Sequence, residues 1–440
     1  MNKIEAENFI YESYVKAQKY QDYYEKDSTK RRNDLTLNLI RNKSKTPCVV
    51  ITGSKGKGSV ANMVSEILKI KYRVGLMTSP HIEDFCERFQ VNGEKLLEEE
   101  FVKLIEKIKP EIEQIDSTLP QNVCISPMGI QTYLALNYFE NKNTEFNIFE
   151  CGKGAKYDDV NNVMHEYAVI NSIFLEHTRE LGETLEEIAE DKAHVIDGYQ
   201  KCVYVAEQVP SVIKVIKDKA EKLNVSLKIY GRDFSSNNIR YTKEGMLFDV
   251  TIGQEVYSDI QIPLLGEHQT KNCALALALC HDILENKEIK ENGIGEQNFI
   301  KTKQNLLSIN WPGRMEIIER NPFILLDACI NRESCKNVLA VLKKLNIEDI
   351  NLIVGIPDDK DYEGVVEEMK IVASKVILTK SQNQHYIFTR KQKDSLETKG
   401  IITEWTESVS EAVNLAKTED KSIVILGTTS VIAEIKKLKM

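Results

Sequence analysis

Short apolar runs alternate along this chain with longer stretches whose apolar residues recur every three or four positions, the pattern of strands and helices in turn. The first run, Cys48-Val49-Val50-Ile51-Thr52, predicts a buried strand. It passes through Gly53-Ser54-Lys55-Gly56-Lys57-Gly58-Ser59 into a helix over residues 57–70. Residues 74–79 read as a second buried strand, running into Thr78-Ser79-Pro80-His81. Apolar spacing predicts helices over 98–108 and 128–139, and strands over 146–150 and 168–173. A helix over 184–196 opens with Thr184 as N-cap and Glu187 completing a capping box. Lys192 falls on its apolar stripe, four residues after Ile188.

Residues 199–290 continue the strand–helix rhythm through segments at 203–206, 212–223, 226–230, 246–251 and 260–264, and Gly266–Asn272 opens a helix over 273–284. Residues 285–308 are charged and contain glycine, as a linker would. From Pro312 a second alternation predicts strands over 323–326, 351–355, 375–379 and 422–426, with a helix over 332–345, one after Thr429 and others between. The first 46 residues are polar and aromatic (Phe9, Tyr11, Tyr14, Tyr20, Tyr23, Tyr24) and predict a helical arm whose rings dock on the next domain. The expected fold class is α/β: a helical arm at 1–46, a P-loop NTPase-like parallel-sheet domain at 47–297, a linker at 298–311 and a smaller Rossmann-like domain at 312–440.

The 440 residues, 42% hydrophobic and 28% charged, suffice for two or three domains with a large core. A formal net charge of −9, with no strongly basic domain, argues against a nucleic-acid partner. The nine cysteines are scattered without a C-x-x-C pair, which suits a reducing cytosol better than a disulfide framework or zinc site. Met1–Glu7 lacks the apolar core of a signal peptide, and no apolar run approaches membrane-spanning length. The expectation is a cytoplasmic protein with no membrane partner.

Candidate chemistry concentrates at predicted strand ends, where an open parallel sheet binds its ligands. Gly53–Ser59 is a glycine-rich turn opening a helix, where backbone N–H groups and the helix dipole favour phosphate. Lys57 is placed to hold outer phosphates, and the Ser59 hydroxyl to ligate magnesium. Its spacing departs from the usual Walker pattern by an extra glycine before the serine. Glu150 ends one predicted strand and His177 follows another, and with Ser59 they suggest a magnesium–nucleotide site. For Lys192, position alone leaves two readings open: a long stem that snorkels to the surface, or a functional buried amine.

In order, Gly53–Ser59, Thr78-Ser79-Pro80-His81, Glu87-Arg88-Phe89 with Val91-Asn92-Gly93, Glu150-x-Gly152-x-Gly154, Leu175-Glu176-His177-Thr178, Leu181-Gly182-x-Thr184 through Ala189, Lys192-Ala193, His268-Gln269-x-x-Asn272, Pro312-Gly313-Arg314, and Asp327 with Asn331 run over nearly the whole chain. This set resembles the Mur ligase superfamily, nearest to folylpolyglutamate synthase/dihydrofolate synthase. The resemblance implies an ATP-dependent amide ligase that activates a small-molecule carboxylate as an acyl phosphate and couples it to an amino acid. It implies that Gly53, Ser54, Lys55, Gly56, Lys57, Gly58 and Ser59 bind ATP, with Asn272 on the adenine side, Arg314 at the phosphates and Asp327 at the ribose. It further implies that Ser59, Ser79, Glu150 and His177 hold Mg2+, that Lys57, Lys192 and His177 serve catalysis, and that Lys192 carries a carbamate. The two domains would close over ATP to bring Arg314 and Asp327 to it.

Departures from the family pattern cluster on the substrate side. Asp327-Ala328-Cys329-Ile330-Asn331 has isoleucine at a histidine position, Gly427-Thr428 stands for glycine–serine, Gly154-Ala155-Lys156 for Gly-Gly-Arg, and Ser126–Thr132 for a phenylalanine-rich segment. Three functions stay open: a folate-directed ligase, a ligase with another acceptor acid, and a catalytically weak ATP-binding partner subunit. A phosphotransferase with a stable phosphorylated product fits less well, because the second domain resembles the amino-acid-binding half of a ligase. A monomer is the expected state, with a partner subunit as the alternative.

Overall fold

The structure, a computed structural model, describes residues 1–21, 31–43, 45–284, 294–383 and 386–438. Its strands in chain order begin with β1 (Cys48–Thr52), β2 (Val74–Met77), β3 (Phe89–Val91), β4 (Glu94–Lys95), β5 (Phe146–Glu150), β6 (Tyr167–Ile170), β7 (Cys202–Val205) and β8 (Leu227–Ile229). These eight form one sheet in the order β4–β3–β2–β5–β1–β6–β7–β8. β1 pairs in parallel with both β5 and β6, so the glycine-rich turn leaves the middle of the sheet. Every residue of β1, β2 and β5 is buried, as expected of parallel strands covered on both faces. β3 runs antiparallel to β2 and folds the following chain back along its edge.

Three further strands, β9 (Phe234–Tyr241), β10 (Met246–Ile252) and β11 (Glu255–Ile262), form a sheet in the order β11–β10–β9. The last sheet holds β12 (Glu316–Arg320), β13 (Phe323–Asp327), β14 (Ile350–Gly355), β15 (Ala373–Leu378), β16 (Glu404–Trp405) and β17 (Ile423–Gly427), ordered β12–β13–β17–β14–β15–β16. It is parallel from β13 to β16, with β12 antiparallel at one edge.

The chain divides into two compact units, one of Met1–Asn237, Asp249–Ile260 and Lys271–Leu307, the other of Asn238–Phe248, Gln261–Thr270 and Ser308–Met440. Two stretches inside the expected 47–297 domain, 238–248 and 261–270, thus group with the second unit. The expected linker at 298–311 is largely helix, Glu296–Leu307, which packs on the helix Lys57–Leu68 in the first unit. Asn305 Nδ2 donates to the Glu66 carbonyl at 2.9 Å, and Thr302 and Leu306 are buried. Charge obscured this helix, since only a few of its apolar residues face inward. The linker-like residues 285–293 lie outside the described residues, as do Tyr23 and Tyr24.

The arm begins as the helix Lys3–Gln18, which packs on the helices Glu98–Asp116 and Pro127–Asn141. Phe9 and Ile10 enter the core and Tyr11 packs against it, whereas Tyr14 and Tyr20 are exposed. The helix at 184–196 is shorter than its pattern: Leu185–Lys192 is α-helical and Ala193–Val195 tightens to a 3-10 turn, while the Thr184–Glu187 capping box forms as predicted. No described helix is long and apolar enough to cross a membrane, and all nine cysteines are free and buried.

Candidate active site

The turn after β1 needs glycine twice over. Gly53 and Gly56 have φ of +141° and +80°, in the region L side chains rarely adopt. A Cβ on Gly53 would lie 2.8 Å from Asn171 Cβ, and one on Gly56 would lie 2.6 Å from Asn171 Nδ2 and 2.9 Å from Asn272 Oδ1. Asn171 follows β6, and its Nδ2 donates to Asn272 Oδ1 at 3.0 Å. Both amides are buried, so they form a fixed wall behind the turn. Ser54 ties the turn to the chain after β6: its N–H donates to the Ser172 carbonyl at 2.9 Å and its hydroxyl to the Phe174 carbonyl at 3.2 Å. Gly56 is the N-cap of the helix Lys57–Leu68 and brings no side-chain acceptor to its first N–H groups. Those donors and the helix dipole face the turn, the arrangement that binds phosphate. Ser59 is buried in the first turn of that helix.

Two lysines meet here. Lys57 Nζ donates to the Gly53 carbonyl at 3.1 Å, and Lys192 Nζ donates to the same oxygen at 2.9 Å and to Glu176 Oε1 at 3.0 Å. Lys192 is only 1% exposed, so the snorkelling reading is overturned: its stem runs inward because the helix Leu185–Lys192 lays this face on the core. Burial pulls its ammonium below the usual lysine range, Glu176 opposes that, and the Lys57 charge adds to it.

At the neighbouring strand ends, Glu150 is buried at the end of β5, level with Ile51 of β1. Its Oε2 accepts from the Ser79 backbone N–H at 2.9 Å. This brings Ser79 and Glu150 together as the motif order suggested. His177 is instead exposed, in a left-handed conformation (φ +46°) at the cap of the short helix Thr178–Leu181. Among the described residues no three His, Cys, Asp or Glu side chains cluster as a metal cage would require. One buried carboxylate bonded to the Ser79 backbone is, however, a start to a donor set suited to magnesium, which keeps waters and takes substrate phosphate oxygens for the rest of its shell.

The loop Cys151–Lys156 is held from beneath by two aspartates. Asp158 Oδ2 accepts from the N–H groups of Gly152 and Lys153 at 2.9 and 3.0 Å, and Asp191 Oδ1 from those of Ala155 and Lys156 at 2.7 and 3.4 Å. The Gly154 carbonyl accepts from Thr52 Oγ1 at 2.9 Å, tying this loop to β1. Asn171, Asp158 and Asp191 were missed as candidates: Asn171 closes an apolar run as Glu150 does, whereas Asp158 and Asp191 sit in polar stretches that carry no such signal.

In the second unit the residues expected at the nucleotide also meet each other. Asp327, buried at the end of β13, accepts from the Met315 N–H at 2.9 Å, and the Gly313 carbonyl accepts from Ala328 N–H at 2.9 Å. Arg314 Nη1 donates to the Gly313 carbonyl at 3.1 Å. Asn331 caps the helix Arg332–Lys344 by accepting from Ser334 N–H at 2.9 Å, leaving Ile330 half-buried beside it. Thr428 is buried at the start of the helix Thr429–Lys437.

Residues 51–280 match the Mur ligase middle domain, and residues 313–429 the Mur ligase glutamate ligase domain. The chain is 27% identical over 413 residues to the dihydrofolate synthase/folylpolyglutamate synthase of Bacillus subtilis, covering 92% of this chain and 94% of that protein. It is 26% identical over 379 residues to the folylpolyglutamate synthase of Lacticaseibacillus casei, covering 86% of each. Among solved structures, Mycobacterium tuberculosis folylpolyglutamate synthase complexed with ADP and AMPPCP shares the fold at a TM-score of 0.85, with 22% identity over 94% of this chain and 96% of that one. A folylpolyglutamate synthase complex with AMPPCP and folate gives 0.83 with 25% identity, over 100% and 99%. With both halves matched in order, the chain belongs to the Mur ligase family, the ATP-dependent ligases that join an acid to an amino acid.

Proposed function

We propose that this ligase acts on a folate-type acid, activating its carboxylate with ATP and coupling it to glutamate. The observation that carries the reading is the convergence of Lys57 and Lys192 on the Gly53 carbonyl, beside an uncapped helix start that suits a polyphosphate. The acid and the amino acid come from the names of the relatives, folylpolyglutamate and dihydrofolate synthases, and from the glutamate ligase domain. In the first step the acceptor carboxylate attacks the γ-phosphorus of ATP, giving an acyl phosphate and ADP. In the second the amino group attacks the acyl carbon and phosphate leaves. Charge spreads over the phosphoryl oxygens in such transfers, so positioned cations and N–H donors do most of the stabilising.

Within this proposal the N–H groups of Gly53–Ser59 cradle the phosphates, and Lys57 swings from the Gly53 carbonyl to the β/γ oxygens. Ser59, Ser79, Glu150 and His177 would hold magnesium, which supplies charge neutralisation at the transferred group. Asn272 shapes the loop from behind and reaches toward the adenine side. Arg314 and Asp327 serve the phosphates and ribose. Lys192 contributes as an ammonium, or as a carbamate once Glu176 turns away from it. Nine buried free thiols suit a reducing cytoplasm, and a monomer suffices for the chemistry.

Ile330 supports a second reading, a different acceptor or a weakly active ATP-binding subunit, because isoleucine cannot supply the imidazole's polar contact. The deciding experiment incubates the protein with ATP, magnesium, glutamate and a panel of acids including dihydropteroate, dihydrofolate and tetrahydrofolate, with mass detection of product. A product one glutamate residue larger than the pteroate or folate supplied supports the proposal. Ligation of non-folate acids alone would reject the folate assignment, and tight ATP binding with no product from any pair would favour the subunit.

A further inference from the structure

One buried cation of the first unit has no task in the scheme above. Arg88 closes the 3-10 turn Phe85–Arg88 just before β3, and its carbonyl accepts from the Thr78 N–H at 2.9 Å, which anchors it beside the end of β2. The residue is 9% exposed. Its Nε donates to His81 Nδ1 at 2.9 Å, its Nη1 to Gln131 Oε1 at 2.7 Å, and its guanidinium lies 5.0 Å from the centroid of the Phe85 ring. Every one of these partners is neutral. Among the described residues no carboxylate lies within ion-pair distance; Glu150 and Glu7 act on Arg88 only from farther away. A buried guanidinium with five N–H donors and two neutral acceptors is costly unless an anion completes it.

The neighbours are set to receive that anion. Gln131 is turned by its own Nε2, which donates to the Pro127 carbonyl at 3.0 Å, so that Oε1 faces Arg88. His81 accepts at Nδ1 from a group that does not give up its proton, so its ring hydrogen sits on Nε2, a donor. Ser79, two residues before His81, is bonded to Glu150 at the strand ends beside the phosphate loop.

We propose that Arg88 and His81 form the receptor for a carboxylate of the acceptor acid, the guanidinium binding it in bidentate fashion and His81 Nε2–H adding a third donor. This rests on the ligase reading for the source of the carboxylate; the incoming amino acid and ATP are the competing sources of an anion. The steady-state test compares wild type with Arg88→Met and Arg88→Lys. Arg88→Met is expected to raise KM for the acceptor by about 100-fold with KM for ATP and glutamate within about 2-fold, and Arg88→Lys to fall between, since an ammonium keeps charge without the fork. A KM rise confined to glutamate or to ATP overturns the assignment, as does an unchanged acceptor KM.

A second measurement needs no turnover. Calorimetry with AMPPCP present compares pteroate with its carboxamide: wild type should prefer the acid by at least about 10-fold, and Arg88→Met should not. Equal affinities in wild type, or binding of neither, sink the proposal even if ligation is found. Absence of ligation with the preference intact would instead remove the ligase reading and leave the receptor standing. Should Arg88→Met not fold, Arg88→Lys and His81→Phe carry both comparisons.

Discussion

The ammonium groups of Lys57 and Lys192 donate to one acceptor, the carbonyl oxygen of Gly53, at 3.1 and 2.9 Å. Among the described residues only Glu176 balances the pair directly. Two like charges on one oxygen raise each other's energy, and a bound polyphosphate relieves both. Lys57→Ala is therefore expected to abolish ATP turnover, and Lys192→Met to lower it by about 100-fold or more. Because the two act on one atom, their losses should not add in the double variant. Ligation rates of the four proteins check this; simple additivity would mean that the lysines act separately.

Gly56→Ala meets two obstacles, a φ of +80° and the amides of Asn171 and Asn272. Gly198 has φ +99° and nothing within 4 Å of where a Cβ would stand, so Gly198→Ala measures strain alone. Strain of this kind costs about 1–3 kcal/mol. Gly56→Ala should lose more stability than Gly198→Ala in chemical denaturation and bind fluorescent ATP at least about 10-fold more weakly. Equal denaturation midpoints for the two variants would show that the asparagine wall gives way.

Two groups, the half-buried His81 and the buried Asp159, oppose each other in acid. His81 is held down at about 4 from an ordinary 6.5, so between those values the unfolded chain binds more protons. Its contribution is full above pH 6.5 and is lost as pH falls toward 4. Asp159 is pushed up to about 6 from 3.8 by burial, opposed by the Thr36 hydroxyl, which donates to its Oδ1 at 2.6 Å. There the native state binds more protons, so its contribution falls as pH rises through 3.8–6. Melting temperatures from pH 4 to 8 should rise less steeply in His81→Gln than in wild type, and Asp159→Asn should gain stability above pH 6. Parallel profiles would show that neither group titrates in this way.

Carbamylation of Lys192 requires a neutral amine and no anion beside it. Glu176 works against both, raising the lysine's proton affinity and repelling the product. Bicarbonate labelled with 13C should give a carbamate resonance that is stronger in Glu176→Gln than in wild type and missing in Lys192→Met. No resonance in any of the three would leave Lys192 as an ammonium.

The parallel core was legible because its strands are continuous apolar runs. Phe146–Glu150 and Cys48–Thr52 matched their predicted bounds, and Glu150 stood out as a carboxylate closing such a run. β9 was not legible: Phe234–Tyr241 is mostly polar with only two of its residues buried, and only its pairing with β10 makes it a strand. β12 was hidden in Glu316–Arg320, an edge strand with charge at both ends. The helix Glu296–Leu307 read as linker because its partner surface, the helix Lys57–Leu68, lies more than 200 residues earlier in the chain.

Local order in the chain determined the glycine-rich turn, the helix that follows it, the capping box at Thr184 and the succession of motifs that marks the family, because each depends on residues within a few positions of one another. Tertiary structure alone decided that Lys192 points inward to the Gly53 carbonyl, that Asn171 and Asn272 wall the turn, and that Arg88 is buried among neutral partners. The Lys192–Gly53, Asn171–Asn272 and Arg88–Gln131 contacts join residues 139, 101 and 43 positions apart. Burial, which sets the cost of each charge, is a property of the packed core and is not written at any single position.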